Sequence, residues 1–100
     1  MTKDKFIGAI HSTNLIKLTF NSKLSGVLTR TCAPMDYGTL RRSSSSELKY
    51  HFYNTDSSHP MSISESQIIS MNILEKKFTP EEFIRWTPNW HIVRDWGVYS

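Results

Sequence analysis

Cysteine is nearly absent: Cys32 stands alone in 100 residues. One thiol excludes an intramolecular disulfide framework and a zinc site built on several thiolates. Glycine is scarce too, with four residues spread far apart, which argues against a glycine-rich phosphate cradle. No Gly-x-Ser-x-Gly elbow and no His-Glu-x-x-His pair occurs. The longest apolar runs are a few residues, too short to span a bilayer. The start, Met-Thr-Lys-Asp-Lys-Phe-Ile, places Asp4 where a signal peptide needs an apolar core, so a cytoplasmic protein is expected. A dominant charge is missing as well. Twelve Lys and Arg face nine Asp and Glu, for a net +3. That permits an anionic partner without demanding one, and a solvated surface with a slight basic excess is the simpler account.

What is present argues for one small, folded, mainly β domain. Hydrophobic residues are 38% and aromatics 12%, too rich for wholesale disorder. A chain of this length can build one core, and no more. Phe6, Ile7, Ala9 and Ile10 fit one face of a short helix from Thr2 that stops near Asn14. Ile16, Leu18 and Phe20 alternate with Lys17, Thr19 and Asn21, the pattern of a half-buried strand. A turn at 21–26 returns the chain into a second strand, 27–33, which Pro34 is expected to end. Leu28, Arg30 and Cys32 share one face of it. The stretch 35–47 reads as a loop with four serines, Ser43 to Ser46. Tyr50-His51-Phe52-Tyr53 is strongly β-prone. A turn at 56–60 comes next, then a weak edge strand over 61–66 and a buried strand over 68–74, the last with Ile69, Met71 and Ile73 on one face. Thr79-Pro80-Glu81-Glu82 is a capping box with proline at the first helical position. Phe78 and Phe83 form its hydrophobic staple, and Thr87-Pro88 ends the short helix. The tail, 84–100, carries Trp86, Trp90 and Trp96. Three indoles either pack back on the domain or form an interaction surface.

Catalytic chemistry finds little support. His11, His51, His59 and His91 lack metal-ligand spacing, so no metal and no cofactor is expected. Asp36, Asp56 and Asp95 have no spacing that joins them. Cys32 in a strand reads as a small core residue more readily than as a nucleophile. What remains suits binding. Arg30, Arg41 and Arg42 offer forks for phosphate. Tyr37, Tyr50, His51 and Tyr53 offer flat faces for a base.

Several of these segments resemble the WYL domain family. Ile68 to Phe78 resembles its closing strand, with Phe78, Pro80 and Phe83 in matching places. Phe20, Ser22, Lys23, Gly26, Arg30 and Pro34 match its first hairpin, and Tyr50-His51-Phe52 stands where the family has Trp-Tyr-Leu. The resemblance covers about residues 4–83. It implies a small SH3- or Sm-like β-barrel with an N-terminal helix, here followed by a short C-terminal helix and a Trp-rich tail. It also implies ligand sensing rather than catalysis, since some members bind nucleotides or nucleic acid in a basic groove. Arg30 carries over to that groove. Ser64, Ser66 and Gln67 replace the family's Arg, Asp and second Arg there, and no helix-turn-helix accompanies the domain. The chain also resembles short stand-alone cytosolic proteins of Gram-positive bacteria that share Cys-Ala-Pro-x-Asp-Tyr-Gly and the Trp-rich tail.

Two functions are the expectations for a single domain over 1–100. The first is a non-catalytic module for a nucleotide or short single-stranded nucleic acid, held by Arg30, Tyr37, Arg41, Arg42, His51 and Tyr53. The alternative is a homodimer or protein-interaction module that uses strand edges and anchors on Trp86, Trp90 and Trp96. A membrane partner is not expected.

Overall fold

The computed structural model describes residues 2–39, 46–86 and 88–100. It is mainly β: five antiparallel strands and one α-helix. Helix α1, Thr2–Ser12, opens with Asp4 in its first turn, where a carboxylate suits the helix dipole. It buries Phe6, Ala9 and Ile10, one face at helical spacing. Thr13, rather than Asn14, ends it. Its φ of 58° is left-handed, which is uncommon for a β-branched residue. That backbone is held from outside: Phe78 N–H donates to Thr13 O at 2.9 Å.

The strands are β1 (Asn14–Ser22), β2 (Gly26–Gly38), β3 (Lys49–Asn54), β4 (His59–Ser64) and β5 (Ile68–Lys77). Their order is β4-β3-β2-β1-β5. β4 and β5 are therefore both edges, and the sheet is open rather than closed into a barrel. The first hairpin forms as expected, and its register sets Ile16 opposite Cys32 and Phe20 opposite Leu28. Phe6 sits edge-on to Tyr50 at 5.0 Å and to Phe52 at 5.1 Å, which pins α1 to one face of the sheet.

Three elements depart from the expectations drawn from the sequence. β2 does not stop at Pro34 but runs on to Gly38. Its pairing with β1 ends at Cys32, so Pro34 pairs with β3 alone and its missing N–H deprives no ladder partner. A register shift between Pro34 and Asp36 marks a bulge there. The strand 68–77 is not buried along Ile69, Met71 and Ile73. Met71 is buried, whereas Ile69 is 57% and Ile73 39% exposed. β5 is an edge, and a register shift opposite Thr19 and Phe20 makes Ile69 an extra residue, which breaks the alternation. Finally, the capping box holds, since Thr79 N–H donates to Glu82 Oε1 at 2.9 Å, but it starts one 3-10 turn, Pro80–Glu82, and no longer helix. The staple rings of Phe78 and Phe83 lie 5.8 Å apart, and Phe83 and Ile84 are buried, so packing takes the chain where the helix would have gone. No helix is long and apolar enough to cross a membrane among the described residues.

Candidate functional site

The tail is locked to the sheet by one buried carboxylate. Asp36, late in β2, accepts hydrogen bonds from His91 N–H at 2.8 Å, Ile92 N–H at 3.0 Å and Arg94 Nη2 at 3.1 Å. Arg94 also donates to Ile92 O at 3.1 Å and to Met35 O. Its guanidinium carbon lies 4.1 Å from the Trp90 ring centroid and 4.5 Å from that of Trp96. The two indoles meet at 72°, so they corner the cation with their faces. Burial lowers the Arg94 pKa to about 10 and Asp36 opposes the drop, so the group stays cationic at neutral pH. Trp96 Nε1 donates to Ile10 O at 3.0 Å, which ties the tail to α1 as well.

Gly38 allows this approach. A Cβ there would lie 2.4 Å from Cδ2 and 2.5 Å from Cγ of His91. His91 Nε2 bonds Thr39 O at 3.1 Å, so its ring has a fixed place to lose. Gly38→Ala will displace that ring and lower stability by about 1 kcal/mol, read as a lower urea midpoint. Gly8→Ala is the control: nothing lies within 4 Å of a Cβ at that helical position. It will raise stability by about 0.5–1 kcal/mol. Equal effects at the two glycines would show that the tail does not approach β2 so closely.

Between the tail and the β3–β4 hairpin lies a cleft of about 310 Å³. Trp86, Trp90 and His91 line it from the tail, His51 from β3, Pro60, Met61 and Ser62 from β4, and Met35, Asp36 and Thr39 from β2 and its exit. Trp86 is 46% exposed. His51 uses both ring nitrogens within the protein. Nε2 donates to Gly38 O at 2.9 Å, and Nδ1 accepts from the Ser62 hydroxyl at 2.8 Å. Burial pushes its pKa below the ordinary histidine value, outweighing the Gly38 carbonyl and Asp36. It is therefore a neutral, fixed flat face at neutral pH.

The residues singled out in the sequence are not gathered into one surface. Arg30 lies opposite Leu18, half-buried, and donates to Thr29 O at 2.8 Å. Alternation puts it on the Cys32 face of β2, whereas Ala33, paired with Tyr53, is on the other. Tyr37 is opposite Tyr50 on the α1 side, with its ring 4.9 Å from that of Tyr50 and the Lys3 ammonium 5.1 Å above it. The strand from Arg30 to Tyr37 spans roughly 20 Å. Tyr53 is stacked on Phe83 at 4.5 Å. His51 lines the cleft, and so do Trp86 and Trp90, while Trp96 is buried behind them. Arg41 and Arg42, with Ser43 to Ser45 and Thr87, lie outside the described residues.

Sequence reading missed Arg94 as the partner of Asp36, and missed Met35, Met61, Ser62 and His91 as cleft residues. The one available signal was Arg94 placed between Trp90 and Trp96 in the sequence. Two of the candidates for catalysis, Cys32 and Asp56, have structural roles. Cys32 is buried, which with the Asp56 carboxylate pushes its thiol up to about 12, so it is no thiolate at neutral pH. Asp56 accepts from Thr31 N–H at 3.0 Å. No group of three His, Cys, Asp or Glu is placed to hold a metal among the described residues. A second cleft, of about 410 Å³, carries Lys76 and Lys77 but also Asp56 and Glu82, so its charge favours neither sign. Comparison with protein-family models, with curated proteins and with solved structures gave no match.

Proposed function

We propose that this chain is a non-catalytic binding module whose cleft takes the flat ring of a nucleotide or of a short single-stranded nucleic acid. One observation carries this: an exposed indole, Trp86, and a second, Trp90, share a cleft with the imidazoles of His51 and His91. Stacking a base on an aromatic side chain contributes about 1–3 kcal/mol and tolerates many bases. We further read the fold as a WYL-like relative of the small SH3 and Sm barrels, opened between β4 and β5. The strand order and the single 3-10 turn, Glu65–Gln67, between those two strands support that reading. A cytoplasmic setting suits it, since a lone thiol stays reduced there.

The test is tryptophan emission during titration with nucleotides and with short DNA and RNA single strands at low salt. Binding will quench emission, and Trp86→Ala will weaken it about tenfold or more. Arg30→Ala separates two placements. Loss of binding in Arg30→Ala with retention in Trp86→Ala would move the ligand to the opposite face of the sheet. Absence of any binding at low salt would end the nucleotide proposal. A molecular mass that rises with concentration would then favour the alternative, a homodimer or protein-interaction module. The exposed Ile69 and Ile73 on the edge strand β5 are the observation behind that alternative.

A further inference from the structure

We infer that the cleft recognises only the uncharged ring of its ligand and leaves any phosphate in solvent, so that a nucleoside binds as tightly as its nucleotide. This rests on the proposed ring-binding function and deepens it.

The reason is how the polar groups around the cleft are already committed. Asp36 is the one carboxylate lining it among the described residues, and both its oxygens are taken by His91, Ile92 and Arg94. Arg94 is spent on Asp36, Met35 O and Ile92 O and is cornered by Trp90 and Trp96. It cannot turn to a phosphate without opening the lock that forms the cleft wall. Arg85, beside Trp86 in sequence, does not line the cleft and donates to Glu81 O, Glu82 O and Ile84 O. His51 has one neutral tautomer, because Gly38 O can only accept and so fixes the proton on Nε2. Its Nδ1 then holds a lone pair, already used by Ser62. The ring presents a face and no cation. No lysine or arginine lines the cleft among the described residues, and Arg30 is across the sheet. Beside the uncharged Thr39 and Asn89, what the cleft offers is apolar and polarisable: two indole rings, the Met35 and Met61 thioethers and Pro60. Such walls reward a flat, neutral heterocycle and, among the described residues, give a phosphate no cation to offset the loss of its water.

Neutralising no phosphate also removes the counterion-release contribution, so affinity will be insensitive to salt. That departs from the behaviour of a basic groove, where affinity falls steeply with salt.

The experiment titrates the intact chain with adenosine, guanosine and cytidine and with their 5′-monophosphates, at low and at physiological salt, with tryptophan emission as the signal. Nucleoside and monophosphate affinities within threefold of each other, unchanged by salt and lost together in Trp86→Ala, are the expected result. A monophosphate that binds more than tenfold tighter than its nucleoside, with the excess removed by salt, would overturn the inference while leaving ring binding intact. The same excess, removed by Arg41→Ala and Arg42→Ala, would assign the phosphate to those residues. Failure of all six probes, together with failure of the single strands, would instead remove the ring-binding function itself.

Discussion

Replacing Arg94 with alanine will release the tail and lower stability by about 3–5 kcal/mol, the usual loss when one member of a buried ion pair is removed. The Arg94 side chain is fully buried and that of Asp36 nearly so, with 3.1 Å between their charged atoms. Without the guanidinium, the Asp36 carboxylate keeps two backbone donors, His91 and Ile92, but both belong to the segment that Arg94 helps to hold. The losses therefore reinforce one another. Urea denaturation will show the lower midpoint. Tryptophan emission will shift to the red before global unfolding, because Trp96 is buried only while the tail is docked. Arg94→Lys will fall between, since it keeps the charge but loses the guanidinium's forked donors and its contact with two indoles. Asp36→Asn combined with Arg94→Met will recover part of the loss, because both charges leave together. A change below about 1 kcal/mol in Arg94→Ala would mean that the pair is no more than a surface contact.

Phe6→Ala will be comparably severe, at about 3–5 kcal/mol, for a different reason. Phe6 is fully buried and meets Tyr50 and Phe52 edge-on. Truncation removes apolar area, two ring contacts and the volume that α1 uses to fill the sheet. An eleven-residue helix is marginal by itself, so α1 depends on this contact. Against a total stability of about 5–15 kcal/mol, the variant will sit near the edge of unfolding. Hydrogen exchange will show α1 amides losing protection first, and Phe6→Leu will restore most of it. Full protection of α1 in Phe6→Ala would show that the helix is held by Ala9 and Ile10 instead.

The legible parts of this molecule are those whose chemistry is local. Ile16, Leu18 and Phe20 declare a strand because one face must be buried, and a slip by one residue would expose all three. Thr79 and Glu82 declare their turn because each partner lies within three residues of the other. Gly26, with a φ of 73°, marks the end of the first hairpin turn. Pro34 misled because its meaning depends on whether β1 is still alongside, which no local pattern records. Ile69 misled for a similar reason, since a bulge on an edge strand changes which residue faces the core. The partial failure of the capping box to propagate a helix is the same lesson in reverse. Local chemistry starts the turn at Pro80, and the burial of Phe83 and Ile84 sets the path of the chain beyond it.

By itself the sequence determined a small, mainly β domain with an N-terminal helix, its first hairpin, its aromatic strand and the start of the turn at Pro80. It also excluded a disulfide framework and a zinc cluster of several thiolates. Only the tertiary structure decided the rest. Asp36 and Arg94 meet across 58 residues of chain, and Trp96 reaches Ile10 across 86. The cleft exists because that lock lays the tail beside β3 and β4. A pattern along the chain reports which faces must leave water, because burial acts on each segment separately. It does not report which distant charge will find which carboxylate, because that choice is made by packing, after the segments have formed.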